Sequence, residues 1–478
     1  MPKQIPHAKQ CRFDSDLVNA PCIRVWIDVA PVRGRVNWRG GLSQFSNTSE
    51  ARAILHGLRR QPVMDLVRGG AFVAALLLVW VSLHPFTDLG NVLLSDLTNG
   101  NETYTYAAFG CLAMLTTSLV VRDNIPGLRS LLSRGYILFG GWVVITVMLS
   151  LDPGASIRRF VLSAAVITVA ATLMLLPKTQ TELMRWFAIA ALALLATCYL
   201  GLILAPNLSM HLATDAQEPA LAGDWRGSFG HKNMAAAVMV MVLFIGIYAA
   251  RSGAWLAGIA IVALASLFIL NSGGKSSFAL SLGVVGLTSL TTVIRSFWLR
   301  AIITLTPLVL LNLFTIGSVV SDQLAEVSKL LPVDSSFTGR TDIWTFGLQA
   351  AEMRPWTGYG FAAFWGSDSV KNLPEGMEWA ATAAHSHNGY LDSTLTMGLP
   401  GLALVIAVLV IAPLRNFQAA ETGGNDGPLL MMLLRIWLFG IYLSSLESFF
   451  FDRDDPIWFT FLLAVFGLHY LARFRTAA

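Results

Sequence analysis

Two arginines and a pair of histidines are the residues whose types and settings suit chemistry. Arg226 lies in GDWRGSFGHKN, Arg340 in TGRTDIW, and His385 and His387 flank Ser386 in AHSHNGY. A guanidinium presents a planar fork of donors that grips phosphate through paired hydrogen bonds. Beside a membrane its obvious anionic target is a lipid-linked phosphate. The plainer reading of Arg226 is an interfacial anchor on ordinary headgroups, and that of Arg340 is an ion pair with Asp342 or Glu352. An Arg at a helix start opposes the macrodipole, so Arg340 gains nothing from local stability. Thr338 or Asp342 could cap that helix. One imidazole can take the proton of a sugar hydroxyl. Alternate histidines could instead ligate a metal together with His211 and His231 of another loop, or sit hydrogen-bonded at the interface. No Cys or third His adjoins the pair, so a single base is the simpler reading and no metal is expected.

Other polar residues carry weaker signals. Lys275 in NSGGKSS superficially suggests a phosphate loop, but G-x-x-x-x-G-K-[ST] fails because residue 269 is Ile. Its glycines read as a tight turn, and Lys275 could still add positive charge to a diphosphate site. Asp452, Arg453, Asp454 and Asp455 read as a solvated charged turn. Glu447, close to the end of an apolar run, is harder to dismiss as solvated, yet nothing in the sequence selects it.

The elements that must position these residues are membrane helices. The 478 residues are 55% hydrophobic and 13% charged, about half the charge of a soluble domain. Mean hydropathy is +0.61. Twelve apolar runs recur along the chain, near 70–86, 105–121, 136–151, 160–176, 187–205, 234–250, 256–270, 278–294, 301–319, 390–412, 429–446 and 456–471. Most are about as long as a bilayer core requires. The expected fold is therefore all-α and polytopic, with about 12 transmembrane helices. Residues 1–68 read as a basic, disordered cytoplasmic tail, with an interfacial helix conceivable near Ser49–Val67. Spans 1–9 then occupy 69–319, with an external loop at 206–233. A large periplasmic loop covers 320–389, spans 10–12 cover 390–472, and 473–478 is a cytoplasmic tail. Orientation follows from basic residues such as Arg122, Arg129, Lys178, Arg251 and Arg415 in loops of one parity. Asp88, Asp152, Asp215, Glu218 and Asp224 fall in the other. Both termini are then inside, and Arg226, Arg340 and His387 share the outer face.

The net charge of +4 suits basic cytoplasmic loops, and no nucleic-acid partner is expected. Cys11, Cys22, Cys111 and Cys198 do not fall in outer loops, so no disulfide framework is expected. No secretory signal peptide is expected either; the first span would direct insertion.

RGSFGHKN before a span, GRTDIW, RPWTGYGFAAFW and HSHNGYLDSTLTMGLPG together resemble the O-antigen ligase and polysaccharide polymerase superfamily, over about 150–401. His387, Asn388, Gly398 and Gly401 fit its H-N-x9-G-x-x-G spacing. The nearest likeness is to exopolysaccharide repeat-unit polymerases of the succinoglycan type. The long basic N-terminal tail has no family counterpart. The resemblance implies a GT-C-like, metal-independent, inverting glycosyltransferase of the bacterial inner membrane that needs no cofactor. It implies a donor glycan on undecaprenyl diphosphate, an acceptor glycan, and chain-length and export proteins as possible partners. The family's diphosphate-binding arginines map onto Arg226 and Arg340, and its essential histidine onto His387. His231, Lys232, Asn388, Lys275 and His385 are possible supporting residues. Competing readings are a ligase that transfers polymer to lipid A core and, further off, a secondary transporter. A transporter would show repeats and ionisable midplane residues, whereas the notable polar residues here gather at one face.

Overall fold

A computed structural model describes residues 49–90, 102–216, 218–328, 340–365, 370, 383–425, 427–453 and 455–475, with backbone only at 49–62 and 102. The basic tail up to residue 48, Thr338, Asp454, the end of the C-terminal tail, and parts of the expected outer loops lie outside the described residues. The chain divides into two units, 1–60 and 61–478. Of the first, only helical backbone from Ser49 is described. The second holds the apolar helices and all of the candidate site residues.

The protein is an all-α polytopic membrane protein. Its main helices are α1 (Ser49–Trp80), α2 (Glu102–Asp123), α3 (Arg134–Met148), α4 (Pro153–Leu173), α5 (Gln180–Leu204), α6 (Lys232–Arg251) and α7 (Trp255–Asn271). There follow α8 (Lys275–Val293), α9 (Phe297–Phe314), α10 (Arg340–Met353), α11 (Gly389–Thr422, π-helical over Ile406–Ile411), α12 (Pro428–Leu443) and α13 (Pro456–Leu471). Each of the twelve apolar runs is helical. Among the described residues eight helices are long and apolar enough to cross a bilayer, and α3, α7, α12 and α13 are shorter apolar helices.

Burial explains two of the short ones. α13 is buried along its whole length and α12 along nearly all of it. At 16 residues each they reach about 24 Å, less than a bilayer core. Enclosed by other helices, they have little direct contact with lipid to match. Gly440 lets them approach: a Cβ there would lie 2.2 Å from the Phe461 ring. By contrast the α2 and α9 spans are 22% and 17% buried and face outward. Arg435 is an exception to the nearly charge-free interior; it lies within α12, 8% exposed, and its Nε donates to Thr288 Oγ1 at 3.2 Å.

Several helices start where a side chain caps them. Asp152 Oδ1 accepts from Ala155 N at 2.9 Å before α4, Asn388 Oδ1 from Leu391 N at 3.0 Å before α11, and Asp455 Oδ1 from Trp458 N at 2.7 Å before α13. Pro153 and Pro456 occupy first-turn positions that need no N–H donor.

Two boundaries differ from the sequence expectation, and both matter. The first apolar run leaves the helix at Trp80 rather than Phe86, ahead of His84-Pro85, because the residue before proline disfavours helical geometry. The eleventh ends at Leu443 rather than 446. Ser444 to Phe451 form an irregular connection whose carbonyls become acceptors for other elements.

The RPWTGYGFAAFW run docks on α11. Tyr359 N donates to Leu395 O at 2.8 Å, Gly360 N to Thr396 O at 3.1 Å and Leu399 N to Pro355 O at 2.7 Å. This contact needs a kink in α11 at Gly398, with φ 69° and ψ −177°, a conformation open essentially only to glycine. A Cβ there would lie 2.3 Å from Trp356 O. Two motifs of the sequence thus meet each other. Gly398→Ala is expected to destabilise the fold by at least ~1–3 kcal/mol, read as a lower thermal midpoint in detergent. Gly110→Ala in α2, where an added Cβ meets nothing within 4 Å, should leave that midpoint near wild type.

Candidate active site

The start of α6, the start of α10, the turn before α11 and the connection after α12 come together at one end of the helices. Glu447 is their common point. Its Oε1 accepts from Arg340 (one terminal N) at 2.9 Å and from Asn233 Nδ2 at 3.2 Å, and its Oε2 lies 3.0 Å from His387 Nδ1. Arg340 also donates to Leu446 O. The Arg340, Glu447 and His387 side chains are 19%, 22% and 30% exposed. They lie within the protein yet remain reachable.

A buried carboxylate is stable when its lone pairs are met. Burial alone would raise the Glu447 pKa. The hydrogen bond to His387 and the charge of Arg340 outweigh it and hold the group near 2. Ionised Glu447 accepts Nδ1–H of neutral His387, which leaves the lone pair on Nε2. Nε2 has no hydrogen-bond partner among the described residues. That tautomer is the one a general base needs.

The turn carrying His387 is tightly set. His387 has φ 56°, a left-handed conformation uncommon outside glycine. Its N donates to His385 Nδ1 at 3.3 Å. Ser386 N reaches the Asp392 carboxylate at 3.2 Å, and Trp344 Nε1 donates to Ser386 O at 2.9 Å. His385 packs edge-on to His387 with ring centroids 4.2 Å apart. Burial, reinforced by the neighbouring charge of His387, pulls its pKa to about 3. His385 is therefore a neutral prop whose Nδ1 is already in use. Asn388 caps α11, and its Nδ2 donates to Asn312 Oδ1 and Ser445 O, both at 3.2 Å. It anchors the turn to α9 and to the connection after α12.

Arg226 is placed differently from the expectation of one shared recess. It is 1% exposed. Its Nε donates to Met210 O at 3.4 Å and its two terminal nitrogens to Phe229 O at 3.0 Å and Thr87 O at 2.7 Å. Among the described residues it touches none of Arg340, His387 or Glu447. Asp215 and Asp88 partly offset its charge, while burial pulls its pKa down. The physical reason is loop closure: the guanidinium satisfies carbonyls that no helix serves. The neighbouring residues complete this loop. His211 Nδ1 bonds Asp215 Oδ2 at 3.0 Å and its Nε2 accepts from Lys232 N at 3.3 Å. His231 caps α6 through Nδ1 and its Nε2 bonds Glu218 Oε2 at 2.7 Å. Lys232 Nζ pairs with Asp224 at 2.6 Å. Lys275 is exposed at the first position of α8 and makes no side-chain bond to the cluster.

The structure thus brings Arg340 and His387 together and keeps Arg226, Lys232 and Lys275 apart from them. It adds Glu447 and Asn233. Glu447 carries a faint sequence signal, as the lone acid in LSSLESFFF. Asn233 closes the RGSFGHKN run, where an amide beside a Lys and a His gives no chemical hint of its own.

Comparison with known proteins agrees with this placement. The family model described as O-Antigen ligase matches residues 228–406, which hold Asn233, Arg340 and His387. Over 82 residues the chain is 38% identical to the exopolysaccharide production protein ExoQ of Rhizobium meliloti (strain 1021), covering 16% of this chain and 19% of that protein. The match therefore spans about a fifth of that relative's length. Both findings bear out the resemblance to the O-antigen ligase and polysaccharide polymerase superfamily.

The ionised state of Glu447 has a pH signature. Its pKa falls from 4.5 to about 2 on folding, so its contribution is fully present above about pH 4.5 and is lost as pH falls toward 2. That contribution is of order 3 kcal/mol at most. The stability difference between wild type and Glu447→Gln, measured by denaturation in detergent, should shrink across that window. A difference independent of pH would show that Glu447 is not held as an anion.

Proposed function

We propose that this chain is a metal-independent, inverting glycosyltransferase that polymerises lipid-linked oligosaccharide repeat units in exopolysaccharide synthesis. The donor is a glycan on undecaprenyl diphosphate, and the reaction takes place at the periplasmic face of the inner membrane, with both termini cytoplasmic. The observation that carries the reading is the Glu447 carboxylate held between Arg340 and His387. It supplies, side by side, a cation for a leaving diphosphate and an imidazole oriented to take a proton.

In this mechanism His387 Nε2 accepts the proton of the acceptor sugar hydroxyl as its oxygen attacks the anomeric carbon. The bond from that carbon to the phosphate oxygen breaks, and undecaprenyl diphosphate leaves with both bonding electrons. Attack opposite the leaving group inverts the configuration. Arg340 keeps N–H groups beyond those given to Glu447 and Leu446 O, and these meet the charge that grows on the leaving phosphate. Glu447 steadies the imidazolium that forms, as an orienting carboxylate does beside a catalytic histidine. The proton then leaves His387 for solvent or a neighbouring group. Arg226 acts by closing the loop ahead of α6.

A ligase reading is favoured by the description of the matched family model, and a polymerase reading by the exopolysaccharide relative. The chemistry is shared and the acceptor differs. Deletion should leave single lipid-linked repeats if the chain polymerises, and long unligated polymer if it ligates. A chain-length regulator and export proteins would be partners of the polymerase.

His387→Ala should lower turnover of a lipid-linked repeat by at least about 100-fold while the protein stays folded in the membrane. Arg340→Lys, which keeps charge but loses the fork, should lose activity partly, and Arg340→Ala more severely. Activity should persist in excess chelator. Full activity of His387→Ala, or loss of activity on chelation, would overturn the assignment.

A further inference from the structure

We propose that Asn233 is a positioning residue for the reaction: its side-chain amide fixes the rotation of the Glu447 carboxylate, so that Oε2 faces His387 while Oε1 faces Arg340. The inference rests on the functional reading above and assigns a role to the last residue of RGSFGHKN.

A carboxylate between a cation and an imidazole has two equivalent oxygens and can turn about its terminal torsion, which is broad and two-fold. With only Arg340 and His387 as partners, either oxygen could slide toward Arg340, the stronger and fully charged donor. Asn233 Nδ2 adds a second donor to Oε1 at 3.2 Å, from a direction set by α6. Oε1 is then committed twice and Oε2 is left to Nδ1 of His387 at 3.0 Å. Because an amide carries no charge, it directs the carboxylate without competing for a phosphate.

The side chain is otherwise unneeded where it sits. α6 is capped by His231, whose Nδ1 accepts from the backbone N of Asn233, not from its amide. The helix start is itself held by Lys232 N on His211 Nε2 and by the loop that Arg226 closes. Asn233 therefore carries the order of that loop across to Glu447, 214 residues away in the chain. This gives the loop an influence on the reacting groups although Arg226 does not touch them.

The charged and titratable groups around Glu447 are Arg340 from α10, and His387 and His385 from the turn before α11. His231 precedes Asn233 on the loop side. An Asp at position 233 would face Glu447 as a second carboxylate, and two carboxylates sharing a site force one to bind a proton. Protonated, that Asp can donate to Oε1 as the amide does. Ionised, it repels Glu447.

The test uses the full-length protein in detergent or nanodiscs with an undecaprenyl-diphosphate-linked repeat, and takes each variant's rate relative to wild type at each pH. Asn233→Ala should fall by about 10-fold, chiefly in kcat, with a ratio flat in pH. Asn233→Asp should approach wild type at acid pH and drop progressively as pH rises, a pattern that a purely structural role would not produce. Wild-type rates for both variants, or equal flat losses in both, would overturn the proposal. A second readout needs no turnover: the loss of stability below pH 4.5 should move upward by about one pH unit or more in Asn233→Asp. An unmoved limb overturns the contact with Glu447 even if wild type proves inactive on the chosen substrate, an outcome that would count against the functional reading instead.

Discussion

A carboxylate inside a membrane protein is costly unless its lone pairs are filled. Glu447 meets that demand with three donors from three separate parts of the chain: Asn233, Arg340 and His387. The requirement works in both directions. Arg340 and His387 are held in place because Glu447 is there, and Glu447 stays ionised because they are. Removing any member leaves the others with an unmatched charge or dipole. The arrangement therefore draws together α6, α10, the turn before α11 and the connection after α12.

The surrounding structure serves this demand. α12 ends at Leu443, so the carbonyls of Ser444, Ser445 and Leu446 turn outward to receive Gly389 N, Asn388 Nδ2 and Arg340. The kink at Gly398 lets the WTGYG turn seat against α11, which fixes that helix behind the His387 turn. The left-handed φ of His387 is sustained by bonds on both sides of it, from His385, Ser386, Trp344 and Asp392. Strain of this kind persists only where neighbours over-determine it.

The fold was legible because a bilayer imposes long apolar runs, and a run of that length signals a helix whatever its neighbours are. Helix ends were less legible. α12 stops three residues early for the sake of acceptors that belong to distant segments, and no local pattern announces that. His387 and Arg340 stood out by residue type, and their pairing follows from placing both loops on one face. Glu447 was visible as an isolated acid but could not be chosen, because its partners lie 60 and 107 residues away. Arg226 shows the limit most clearly. An arginine on an outer loop is chemically fit for phosphate and equally fit to gather loop carbonyls, and only the geometry of Met210, Phe229 and Thr87 distinguishes the two.

The most direct measurement is the release of undecaprenyl diphosphate from a defined lipid-linked repeat by the purified protein, wild type against Glu447→Gln. Gln keeps the size of the side chain and removes the charge that orients His387. The account predicts a folded variant whose turnover falls by at least about 100-fold. Turnover equal to wild type would contradict the claim that Glu447 organises the reacting groups.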